Sequence, residues 1–98
     1  MWRQGDVLIS AVAEIPRGAT RRRDCVLAEG ELTGHSHRIE LPATAELYEH
    51  KGRLYLRVMA SEARVVHQEH GPITLRQGNY AVWQQREYAP EVPRPVRD

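Results

Sequence analysis

The sequence predicts an all-β domain, a small antiparallel barrel or sandwich of about seven or eight short strands. Three observations lead there. Apolar residues occur in short runs such as Val7–Val12, or at alternate positions such as Ile39 and Leu41, which is strand spacing rather than helix spacing. Gly, Pro, Asn and Ser punctuate the chain at short intervals. No amphipathic helix of useful length can be traced between them.

Taken in order, Val7–Val12 reads as a buried strand behind Gly5-Asp6, stopped by the turn chemistry of Pro16-Arg17-Gly18. Arg21, Arg22 and Arg23 continue that loop. Residues 24–29 form the next strand, and Gly30-Glu31-Leu32-Thr33-Gly34 turns the chain into a third, residues 35–41, which Pro42 ends. Ala45–His50 and residues 53–59 make a hairpin about the two-residue turn Lys51-Gly52. Its register sets Leu47 opposite Leu56, Tyr48 opposite Tyr55, Glu46 opposite Arg57 and His50 opposite Arg53. Ala45, Leu47, Leu54, Leu56 and Val58 then share the core face, and a slip of one residue would scatter them. Ser61-Glu62 reads as a turn, residues 63–69 as a strand, and Ile73-Thr74-Leu75 as a short strand. Arg76-Gln77-Gly78-Asn79 reads as a turn leading into a last strand from Tyr80. Residues 1–88 make one domain, and residues 89–98, with Pro90, Pro93 and Pro95, an extended tail.

Composition narrows the function. A formal net charge of +1 is not that of a general nucleic-acid binder. Cys25 is the single cysteine, so no disulfide forms within the chain and a cysteine-based zinc site is not expected. Cys25, Tyr80, Trp83 and Tyr88 are assigned to packing. No leader or membrane-spanning run is seen, and the expected location is the cytoplasm, with no membrane partner. Exposed strand edges point to a homodimer.

Four of the five histidines fall in two clusters, Gly34-His35-Ser36-His37-Arg38-Ile39-Glu40-Leu41 and His67-Gln68-Glu69-His70. On a strand, His35 and His37 share a face with Ile39 and Leu41, so two imidazoles point into an apolar interior. His67 and Glu69 share a face further on. Neutral imidazole is a ligand for Zn, Fe, Mn, Ni and Cu ions. His35, His37, His67, His70 and Glu69 therefore compose the expected site for a divalent transition metal, which would serve an enzyme acting on a small molecule. His50, beside the Lys51-Gly52 turn on the outer face, is left out.

Gly34-His35-Ser36-His37 followed by Glu40, with His67 and His70 later, resembles the cupins. Residues 73–80, Ile-Thr-Leu-Arg-Gln-Gly-Asn-Tyr, look like a strand–turn–strand phrase of such barrels. The resemblance implies a cupin-like barrel with a metal held by histidines and a glutamate, although Glu40 falls on the opposite strand face from His35 and His37. The chain also looks like short bacterial and phage proteins, which implies no activity.

An alternative needs no metal. Histidines of different pKa can act as base and acid in RNA cleavage, so His35, His37, His67 and His70 would be catalytic. Arg38 or Arg21, Arg22 and Arg23 would then hold the phosphate. This ribonuclease or RNA-binding reading ranks behind the metal, level with histidines that are merely structural.

Overall fold

The computed structural model describes residues 1–30 and 33–85. The proposed tail, Tyr88 and the turn residues Glu31 and Leu32 lie outside them. Eight strands are present among the described residues: β1 (Trp2–Gln4), β2 (Val7–Val12), β3 (Thr20–Arg21), β4 (Val26–Glu29), β5 (Ser36–Ile39), β6 (Ala45–His50), β7 (Arg53–Val66) and β8 (Ile73–Gln84). One turn of 3-10 helix, Pro42–Thr44, precedes β6. The chain is all-β, as its alternation requires, and no helix among the described residues is long and apolar enough to cross a membrane.

The strands form one antiparallel sheet in the order β1-β2-β8-β7-β5-β4, with β6 on the first half of β7 and β3 beside β6. The β6–β7 hairpin has the register that its sequence demands, including Leu47 opposite Leu56 and His50 opposite Arg53. Lys51 (φ 51°) and Gly52 (φ 77°) both adopt positive φ, the signature of a two-residue turn whose twist matches the strands. Leu47, Leu56, Val58 and Ala45 are buried together with Val7, Ile9, Val65 and Leu75.

Two expected turns are not turns. Ser61-Glu62 lies inside the continuous strand β7, and Gly78 lies inside β8. The polar residues that suggested breaks mark a register shift instead, between Val58 opposite Gly78 and Glu62 opposite Arg76. Inward positions change parity there, from Leu56 and Val58 to Ala63 and Val65 on β7, and from Leu75 to Tyr80 on β8. Extra residues on one strand unpair locally, increase twist and bend the sheet. Gly78 takes φ +152° opposite the irregularity, a conformation that side chains resist. The bent β7–β8 hairpin therefore forms one side of the core twice, and the phrase around Gly78 that resembled a strand–turn–strand is unbroken strand.

Other elements differ at their ends. Trp2-Arg3-Gln4, assigned to no element from the sequence, is β1, joined to β2 by the two-residue turn Gly5-Asp6. The third expected strand stops at Ile39. Leu41 is 60 % exposed beyond it, not inward. Strand β7 ends at Val66, so His67 and Glu69 lie on a bend rather than on a strand face.

Candidate functional site

The two histidine clusters meet at one rim of the sheet, where β5, the bend after β7 and the β1–β2 turn come together. Their imidazoles are close neighbours. The His37 and His67 ring centroids are 4.2 Å apart, His67 and His70 4.7 Å, His35 and His67 5.5 Å, and His37 and His70 6.2 Å. Only His37 is buried, at 5 % exposure. His35 and His67 are half-buried and His70 is exposed, so the cluster is a rim feature and not the interior pocket that strand alternation implied. The rings line a cleft of about 200 Å³ with Asp6, Glu29, Thr33, Glu69 and Gln84.

Gln4 organises this rim. Its amide nitrogen donates to the backbone carbonyls of Val65 (3.0 Å) and Gly71 (2.8 Å). Those two bonds fix which end of the amide is nitrogen, so Oε1 accepts from His37 Nδ1 at 2.9 Å. Nδ1 therefore carries the proton in neutral His37, and Nε2 is bare. That bare nitrogen faces Asp6 Oδ1 at 3.5 Å. Asp6 is held in turn, because Gln84 Nε2 donates to its other oxygen at 2.7 Å and the Gln85 amide donates to its carbonyl at 2.7 Å.

The bend carrying His67 is pinned at both ends. Gln68 Oε1 accepts the Ser36 amide at 3.0 Å, and Gly71 is bonded to Gln4. Within it the Glu69 amide donates to His67 Nδ1 at 3.0 Å, which places the proton of neutral His67 on Nε2. His35 Nδ1 lies 3.6 Å from Glu69 Oε2. Gly5 lies under His70: a Cβ there would approach His70 Nε2 to 2.7 Å, and Gly5 has φ +60°.

Burial holds His37 below the usual imidazole value, and proximity to His67 and His70 adds to this while Asp6 opposes it. His67 is lowered chiefly by burial, then by His70 and His35, against Glu69 and Asp6. Adjacent rings and burial together disfavour the protonated forms of His37 and His67.

The sequence-derived residues divide. His35, His37, His67, His70 and Glu69 are brought together. The arginines are not. Arg38 is exposed on the face of β5 away from His37. Arg21 pairs with Glu46 at 3.1 Å, and Arg22 with Asp24 at 2.9 Å and Glu49 at 3.7 Å. Arg23 is exposed and belongs to the same segment. Glu40 pairs with Arg64 at 3.4 Å on the outer face. His50 packs near Gly18, away from the cluster. Gln4, Asp6 and Gln84 were missed. The available signal was Gly5-Asp6, a two-residue hairpin turn ahead of an apolar strand. Among the described residues, no group of three or more His, Cys, Asp or Glu side chains is arranged to hold a metal ion.

Fold and site thus define a small antiparallel β-protein with a rim of imidazoles locked by glutamines. Residues 3–85 match the family described as "Domain of unknown function (DUF8820)", and the chain belongs to that family. No curated protein and no solved structure matches the chain.

Proposed function

We propose that the rim binds a divalent transition ion between His37 Nε2 and Asp6 Oδ1. The observation that carries this reading is the locked pair itself. A bare imidazole nitrogen and a carboxylate oxygen 3.5 Å apart repel each other unless a proton or a metal ion lies between them, and burial opposes the proton on His37. Two donors about 2.1 Å from one ion and about 110° apart stand about 3.4 Å from each other, which matches the pair. Gln4 supplies the partner that a ligating histidine ordinarily has on its other nitrogen. Either His67 or His70 is near enough to supply a third donor by turning its ring. For His67 this breaks the bond from the Glu69 amide, at roughly 0.5–1.5 kcal/mol. His35 and Glu69 form a second, adjacent pair. A mixed nitrogen and oxygen set suits Zn, Fe, Mn or Ni, and three protein donors leave an open position of the kind catalytic ions use on small molecules.

Calorimetric titration of tag-free protein with Zn²⁺, Fe²⁺, Mn²⁺ and Ni²⁺ tests this. One ion per chain is expected, lost in His37→Ala and Asp6→Ala and kept in His50→Ala, with EDTA lowering the melting temperature. Absence of binding by all four ions, with melting indifferent to EDTA, would overturn it.

A second reading is favoured by the Glu69 amide bond to His67 Nδ1. It gives His37 a bare Nε2 that can act as a base, beside a His67 Nε2–H that can donate a hydrogen bond to the substrate and would act as the acid once its ring is protonated, without metal. RNA cleavage that survives EDTA and disappears in His37→Ala selects this reading. The arginines expected to hold phosphate support it little, since Arg21 and Arg22 are paired and Arg38 faces away.

A further inference from the structure

Beside the histidine cleft lies a larger groove of about 680 Å³, lined by Val7, Leu27, Ala28, Leu54, Tyr55, Val82 and Trp83, with Arg53 and Gln84 as its long polar side chains. Its size falls in the range of small-molecule sites, roughly 300–1,000 Å³, and its walls combine apolar side chains with the polar groups of Arg53, Tyr55 and Gln84. The groove exists because β4 crosses the core without hydrogen-bonding to β2 or β8: β4 pairs with β5 alone. Leu27 and Ala28 form one wall, and the ends of β2, β7 and β8 form the other. Gln84 lines both this groove and the histidine cleft, and Ala28 is followed on β4 by Glu29, which lines the cleft. The two spaces therefore adjoin under β4.

Two features at the groove say what enters it. Trp83 is 42 % exposed, although its neighbour Val82 is buried, so an indole stands at the groove's edge with part of its surface in water. Arg53 is exposed one residue before Leu54, which is opposite Val82, and it lines the groove together with Trp83. Among the described residues Arg53 makes no ion pair, in contrast to Arg21, Arg22 and Arg64. An apolar trough with a guanidinium at its exposed edge is complementary to a molecule with an apolar body and one negative group.

We infer that the groove binds a small amphiphilic organic anion, its ring or chain between Leu54, Val82 and Trp83 and its anionic group on Arg53. This goes beyond the metal reading and does not depend on it. The probe pair is 8-anilino-1-naphthalenesulfonate and its uncharged analogue N-phenyl-1-naphthylamine, titrated against the full chain with near-ultraviolet circular dichroism confirming native packing. Saturable binding of the sulfonate at one site is expected, with quenching of tryptophan fluorescence. Arg53→Glu should weaken the sulfonate about tenfold or more while changing the uncharged analogue less than about twofold. Ala28→Phe, which fills the trough, should weaken both. EDTA should leave both unchanged, so that failure of the metal reading is separable. The inference is overturned if the natively packed protein binds neither probe, or if Arg53→Glu affects the two probes equally.

Discussion

Replacing Gln4 by leucine tests the organisation of the rim most directly. Gln4 is 2 % exposed and makes three hydrogen bonds, two donated to the Val65 and Gly71 carbonyls and one accepted from His37. Leucine is close in volume, so the loss is of bonding rather than packing. Each net bond contributes about 1 kcal/mol, and each buried group left without a partner costs about 1–3 kcal/mol. Gly71 lies at the surface and recovers a bond from water, whereas the Val65 carbonyl and His37 Nδ1 do not. The expected cost of these two orphaned groups is therefore about 2–6 kcal/mol, or a melting temperature lower by roughly 8 °C or more for a domain of this size. Urea unfolding at pH 7.5 in EDTA measures it without any contribution from bound ions. Gln77→Leu serves as control, because its one side-chain bond, to the Met59 carbonyl, is exposed, and it should stay within about 0.5 kcal/mol of the parent. A Gln4→Leu cost below about 1 kcal/mol would show that the tautomer assigned to His37 is not enforced.

The remaining expectations concern packing and pH. Leu56→Ala should cost about 2–5 kcal/mol in urea unfolding, since Leu56 is 0 % exposed, and Tyr55→Ala less, because its face is partly solvated; reversed costs would contradict the hairpin register. Metal-free protein should lose stability as pH falls below about 6.5, where histidines of the unfolded chain take up protons that folded His37 and His67, both lowered, resist; above that pH the two groups contribute no slope. Unfolding free energies between pH 5 and 8 check this (both bounds being about the range of histidine titration), and His37→Gln should flatten the acid limb, whereas an unchanged limb would place the protons elsewhere.

How much was legible depended on the distance over which each residue finds its partners. The β6–β7 hairpin was readable to the residue because alternation, a two-residue turn and opposed side chains all lie within a short stretch. His35 and His37 were readable as a pair for the same reason. Gln4 was not, because it sits in a polar segment and its partners are His37, Val65 and Gly71, far along the chain. Asp6 is similar: what makes it a site residue is the Gln84 side chain that turns one oxygen outward and leaves the other to His37. The supposed turns at Ser61-Glu62 and Gly78 misled because a kink shared by two paired strands and a chain reversal use the same polar and glycine residues. Only the pairing of Val58 with Gly78 and Glu62 with Arg76 distinguishes them.

The pairing of β2 with β8 also imposes a schedule on biosynthesis. Val7 through Val12 pair with Gln84 through Asn79, so this apolar segment finds its partner only after β3 to β7 and then β8 itself have been made. At about 5–20 residues per second the delay is several seconds. During it Val-Leu-Ile-Ser-Ala-Val is an uncharged, proline-free strand segment whose edge toward β8 is unsatisfied, the kind that associates with other nascent chains. Gln4 and Asp6 travel with that segment, so a chain stalled before β8 carries all of its histidines but has neither the tautomer lock nor the carboxylate in place.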